Sequence, residues 1–227
     1  MKLSIVCASV RINALEETKA SLLAQTRKPD AYYLVGKDDS LLWYNVPYVE
    51  PPWYAPEMAI NASFDAAFRG HADLAVYVSD LAWLDPNALE LIERYMVEHP
   101  ECPMLSSVHC LHAEKTCGVV TPDTGTCIKW CGFNIEKDEA ARVYKNLKAL
   151  ETNGFVAGAI PAALHLMSHT AIRREVWLKV NGLDERFTGA SGYIDTNIAC
   201  RIEAAFGPCH IHSGLREHRK NYYALKS

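Results

Sequence analysis

The chain has 227 residues, 49% of them apolar and 22% charged, a balance that fills the core of one α/β domain and excludes a disordered chain. A formal net charge of −4 excludes a global basic field, so general nucleic-acid binding is not expected. No apolar run reaches the roughly 18–20 residues of a membrane span, and the short apolar start is followed at once by Arg11 and Asn13, so it reads as a buried strand rather than a signal peptide and a cytoplasmic location is expected.

Residues 3–8 form that strand. Residues 14–25 read as a helix with Leu15, Leu22 and Leu23 on one face, and 31–35 as a second strand ended by Gly36. This βαβ unit implies parallel strands and a right-handed crossover. Residues 46–56, with Pro47, Pro51, Pro52 and Pro56, read as an ordered loop. In the helix that follows, Ile60, Phe64, Ala67 and Phe68 recur at helical spacing, Gly70 stops the run, and Asn61 and Asp65 share an adjacent face. Residues 73–79 are apolar enough for a central parallel strand, with Asp80 at its carboxyl end. Asp85 is expected to cap the next helix, with Pro86 at its first position and Leu89, Ile92 and Met96 as its buried stripe.

Residues 104–135 look β-rich, with a hairpin turn at Pro122-Asp123-Thr124-Gly125, and 138–150 read as a charged helix. Residues 154–163 are loop-like and 164–171 suit another strand. A helix carrying Ile172, Val176 and Val180 ends at Asn181-Gly182, and a last helix carries Ile194, Ile198, Ile202 and Ala205 up to Gly207. Cys102, Cys110, Cys117, Cys127 and Cys131 fall in one segment beside His109 and His112, but the tightest Cys pair has three residues between its members. Zinc sites favour closer pairs. Reduced cysteines acting as small apolar residues, with no structural zinc, are the expectation.

Strands alternating with helices predict one domain over 1–227, a doubly wound, mostly parallel sheet with a β-rich addition. Such sheets bind ligands beyond the carboxyl ends of their strands. Asp38, Asp80 and Asp195 all fall at such positions, so one shared cleft is expected.

At these residues the chain resembles family-2 glycosyltransferases, particularly their rhamnosyltransferase-like branch. Ser21-Leu22-Leu23-Ala24-Gln25-Thr26 is similar to the family's first-helix signature, and Lys37-Asp38-Asp39-Ser40 resembles its "DDGS". Asn61 to Gly70 resembles the "N…A.G" helix, and Asp123 to Gly132 the "D.dG.i…G" hairpin. Arg173-Arg174-Glu175-Val176-Trp177, Gly182-Leu183-Asp184-Glu185-Arg186-Phe187 and Gly192-Tyr193-Ile194-Asp195-Thr196-Asn197 resemble "RRevw…GGfDErF…gyEDtDl", Arg201 suits the "R" one turn on, and His212-Ser213-Gly214 resembles "H..g".

The resemblance implies the GT-A fold and inverting transfer of a sugar from a nucleotide-diphosphate sugar to an acceptor hydroxyl. It places donor binding at Ser9, Asp38, Asn61, Ser79 and Asp80. Two departures stand out. The metal-binding "DxD" is Ser79-Asp80-Leu81, with one acidic residue left, and the "ED" pair is Ile194-Asp195. A divalent cation, manganese or magnesium, would be held by Asp80 and His212, with His210 as alternate on the same strand face, and metal dependence would be weak or altered.

In an inverting transfer the acceptor hydroxyl loses its proton as it attacks, which requires a facing base. Asp195 is the candidate, because a helix start favours a negative carboxylate; the competing role is a helix cap. A GT-A domain that binds a nucleotide sugar or glycan without turnover is the alternative that the reduced "DxD" supports. A nucleotidyltransferase would want a glycine-rich loop after the first strand, and Cys7-Ala8-Ser9-Val10-Arg11 has no glycine.

Overall fold

The computed structural model describes residues 1–9, 15–36, 44–47, 56–80, 82–112, 157–160, 162, 165, 167, 169–187 and 194–220, with 108–112, 213 and 216–220 described by their backbone. In chain order the elements are β1 (Leu3–Ala8), α1 (Leu15–Leu23), β2 (Ala31–Val35), β3 (Tyr44–Asn45), α2 (Pro56–Arg69), β4 (Leu74–Tyr77), β5 (Ala82–Leu84), α3 (Ala88–Glu98), β6 (Met104–His112), β7 (Ala157–Ala159), β8 (Thr170–Arg173), α4 (Arg174–Val180), α5 (Ile194–Phe206) and β9 (His210–Lys220).

The strands form one sheet in the order β3-β2-β1-β4-β8-β6-β9-β5, with β7 on β9. The half from β3 to β4 is parallel throughout. Beyond β4 the sheet is mixed: β8 is antiparallel to both β4 and β6, while β9 is parallel to β6 and antiparallel to β5 and β7. The fold class is therefore the expected α/β one. Parallel pairing dominates in its first half, where βαβ crossovers connect the strands.

Helices cover both faces, and the alternation of the central strands shows why. Leu3, Ile5 and Cys7 of β1 and Leu74 and Val76 of β4 pack with Leu15 and Leu22 of α1 and Leu89, Ile92 and Met96 of α3. Val6, Ala75 and Tyr77 point the other way, to Phe64 of α2, Trp177 of α4 and Ile198 and Ile202 of α5. Phe64 and Trp177 stack with centroids 3.9 Å apart and planes 15° apart.

Element ends follow local chemistry, with three corrections. The strand expected at 164–171 is β8, Thr170–Arg173, so Ile172 belongs to it and not to α4. Pro56 belongs to α2 as its first residue rather than to the preceding loop, because a missing N–H costs nothing in a first turn. Asp85 does not cap α3. Its carbonyl accepts the Ala88 N–H at 3.0 Å in a turn that delays the helix to Ala88. The cap comes from across the core: Gln25 Oε1 accepts the Leu89 N–H at 3.1 Å, and Gln25 Nε2 donates to the Asp85 carbonyl at 2.8 Å. Helix α4 ends as expected, on Asn181 and Gly182 with φ of 58° and 64°.

The segments 113–156 and 221–227, and with them the expected hairpin and charged helix, lie outside the described residues. Among the described cysteines Cys7, Cys102, Cys200 and Cys209 carry free thiols. No helix among the described residues is long and apolar enough to cross a membrane.

Candidate functional site

Neighbouring strands β1 and β4 each deliver a buried polar residue at the carboxyl edge of the sheet. Ser9 follows β1 and is 8% exposed; Asp80 follows β4 and is 5% exposed. Ser9 Oγ donates to Asp80 Oδ2 at 2.9 Å. A buried carboxylate needs such donors, because desolvation otherwise opposes its charge. Burial, followed by the charge of Asp80, raises the Cys7 thiol well above its ordinary range, so Cys7 stays protonated beneath the pair.

Local devices fix this corner. The Ser9 N–H donates to the Val35 carbonyl at 2.8 Å. Gly36 follows, and a Cβ there would stand 2.5 Å from the Ser9 carbonyl oxygen, so a side chain would push the end of β2 away from Ser9. The Ala82 N–H donates to the Ser79 carbonyl at 3.2 Å, closing the turn that holds Asp80. Thr18 of α1, fully buried, donates through Oγ1 to the Ala82 carbonyl at 2.7 Å and reaches the Asp80 carbonyl at 3.3 Å.

Asp195 is the second residue of α5, inside its first turn, and is half-buried. The topology brings it to the same edge. Helix α5 ends just before β9, and β9 runs in the direction of β4, so α5 begins at the carboxyl side. Ser79 is buried beside Asp80. Asp38 lies outside the described residues.

Asn61 stands apart from this corner. Its Oδ1 accepts the Leu183 N–H at 2.8 Å, and its Nδ2 donates to the Leu183 carbonyl at 3.0 Å and to Glu185 Oε1 at 2.9 Å. A Cβ on Gly182 would stand 2.7 Å from Asn61 Oδ1, so the seam closes around a glycine. Arg201 donates to the carbonyls of Val180 and Gly182, both at 2.7 Å, and so caps the end of α4. These groups line an open crevice of about 550 Å³ with Asp65, Asp184 and Arg186.

His212 and His210 face α3. Both rings meet Tyr95 edge-on, His210 Nδ1 is hydrogen-bonded to Tyr95 Oη at 2.9 Å, and His212 Nδ1 accepts the Gly214 N–H at 3.1 Å. Burial lowers the pKa of both imidazoles. Among the described residues no three of His, Cys, Asp and Glu are grouped to hold a metal ion.

Sequence reasoning missed Thr18 and the cap made by Gln25. A signal for Thr18 exists: it is a polar residue between Leu15 and Leu22 on the buried stripe of α1. For Gln25 none does, because its partners lie about 60 positions away.

A sheet covered on both faces, with polar residues gathered at the carboxyl ends of its first parallel strands, has the layout in which α/β folds bind ligands. The fold is the expected GT-A-like one, and solved structures share it. S. aureus TarS matches 97% of this chain with a TM-score of 0.63 at 12% identity, over 37% of its own length. TarS 1–349 in complex with UDP-GlcNAc matches 97% with a TM-score of 0.62 at 12% identity, and the UDP complex 97% with 0.58 at 13% identity. The chain spans 59% and 60% of those two structures. No protein-family profile and no curated protein sequence matches the chain.

Proposed function

We propose that this chain is a glycosyltransferase that transfers a sugar, with inversion, from a nucleotide-diphosphate sugar to an acceptor hydroxyl. One observation carries the reading: the buried Ser9–Asp80 pair stands at the carboxyl ends of β1 and β4, in a fold shared with TarS structures that hold UDP and UDP-GlcNAc. Ser9, Ser79 and Asp80 bind the donor, and Asp38, which follows β2 in the sequence, has the same role. Asn61 acts as a strut, since both of its amide atoms are engaged by the 183–185 segment.

The bond changes balance in one displacement. The acceptor oxygen forms a bond to the anomeric carbon as the bond from that carbon to the diphosphate oxygen breaks. The hydroxyl proton passes to the Asp195 carboxylate, and the electron pair leaves on the nucleoside diphosphate. Asp80 and Ser9 are oxygen donors, a chemistry that suits a hard divalent cation such as manganese or magnesium. When bound, such an ion offsets the charge on the leaving diphosphate. One carboxylate is a sparse protein contribution, so an ion held there would draw its remaining ligands from elsewhere and metal dependence would be weak. His212 is held through Nδ1 by the Gly214 N–H.

The test is a thermal-shift screen against nucleotide sugars, followed by transfer assays of wild type and Asp195→Asn. Asn keeps the size of the side chain and removes the base. Donor binding should persist while turnover falls about 10²–10⁴-fold. Unchanged turnover would remove Asp195 as the base, and donor binding without transfer to any acceptor would make the chain a binding domain.

A further inference from the structure

Glu57 is the second residue of α2 and is 1% exposed. Its Oε2 is buried and accepts no hydrogen bond among the described residues. A buried carboxylate oxygen without a donor destabilises a fold, and an apolar side chain would occupy the same position without that cost. The start of α2 favours a negative carboxylate, but that field does not replace the hydrogen bond that Oε2 lacks.

Its place in the fold supplies a reason for a glutamate here. Helix α2 starts at the carboxyl edge of the sheet, because it follows β3, which runs with β2, and it ends just before β4 begins level with Leu3. Phe68, Phe64 and Ile60 form its buried stripe, and Glu57 extends that stripe roughly 4.5 Å further toward the edge. Helix α2 packs mainly on β1 and β2. Glu57 thus lies toward the ends of β1 and β2, whereas Asp80 follows β4, on the other side of β1.

We propose that Glu57 is a further donor-binding residue, whose carboxylate receives the hydroxyl hydrogens of the nucleotide's ribose. The inference rests on the nucleotide-sugar reading above. With the diphosphate at Asp80, the nucleoside extends along the edge toward β1 and β2. An ionised carboxylate is acceptor-only and offers two oxygens, which suits a vicinal diol. Donor binding then supplies the hydrogen bonds that Oε2 lacks.

The experiment titrates UDP, 2′-deoxy-UDP and UDP-GlcNAc into wild type, Glu57→Gln and Glu57→Met by calorimetry, with melting temperatures alongside. Glu57→Met should melt at or above the wild-type temperature and bind UDP and UDP-GlcNAc about 10- to 100-fold more weakly. Glu57→Gln should fall between the two. Wild type should discriminate against 2′-deoxy-UDP, and Glu57→Met should not. Wild type that binds none of the three overturns the nucleotide-sugar reading and this inference with it. Wild-type binding that survives Glu57→Met, or a loss confined to UDP-GlcNAc, overturns the role of Glu57 alone. So does a lowered melting temperature in both variants, which would mark the carboxylate as structural.

Discussion

Two corners of the molecule are built from short polar motifs, and they resolve their polarity in opposite ways. At the Asn61–Gly182 seam the groups neutralise each other and the end of a helix. Asn61 pairs with both backbone groups of Leu183, and Arg201 takes the carbonyl of Val180, the last of α4, and that of Gly182. At the Ser9–Asp80 corner a hydroxyl and a carboxylate converge on the edge of the sheet, held there by the backbone of Val35 and Ala82 and by the Thr18 hydroxyl. The first arrangement leaves its groups engaged with backbone at a helix end. The second gathers them where α/β sheets bind ligands.

The comparison can be broken by perturbations that should move one corner and spare the other. The largest expected effect on stability comes from pH and involves neither corner. His165 is buried, hydrogen-bonded through Nδ1 to Ser106 Oγ at 2.9 Å, and burial pushes its pKa down to about 4. Its folded pKa lies below the unfolded value, so the unfolded chain binds the proton first. Stability is then full above about pH 6.5 and falls as pH drops toward 4, by about 3 kcal/mol for this residue. His210 and His212, also lowered by burial, act in the same direction. Urea titrations at pH 7.5 and 5 should show the loss, and His165→Gln should flatten it. An unchanged slope in that variant would assign the acid sensitivity elsewhere.

A smaller effect is expected from Asn61→Ala. Three hydrogen bonds disappear and the backbone of Leu183 loses its partner, so stability should fall by about 2 kcal/mol with donor affinity intact. Weakened donor binding at unchanged stability would return Asn61 to the donor site. Smallest is Thr18→Val, which keeps the shape of the side chain and removes the donor to the Ala82 carbonyl. About 1 kcal/mol of stability should go, as read by urea titration, with a few-fold loss of donor affinity as the Asp80 turn loosens. An Asn61-like pattern, with stability lost and affinity untouched, would make Thr18 pure scaffold.

Much of this was legible in the residues themselves. The apolar runs of β1, β2 and β4 and the helical stripes of α2 and α5 declare their elements, since buried parallel strands and amphipathic helices leave periodic signatures. Asp80 was legible because it ends the most apolar strand. The antiparallel insertion of β8 between β4 and β6 was not, because pairing direction depends on contacts about 100 residues apart. Nor were the partners of Asn61 and Asp80 legible. Both carry polar side chains at motif positions, and their different partners lie far along the chain. The cap of α3 was misread for the same reason: Asp85 has the right chemistry and position, but Gln25 reaches the helix start from the end of α1.

The central claim is that the Ser9–Asp80 corner binds the nucleotide-sugar donor, and paired calorimetric titrations test it most directly. The donor selected by the thermal-shift screen is titrated into wild type, Asp80→Ala and Asn61→Ala, with a melting curve for each. The account predicts at least about a 10-fold loss of affinity in Asp80→Ala, with a smaller fall in melting temperature than in Asn61→Ala. Wild-type affinity in Asp80→Ala would contradict it.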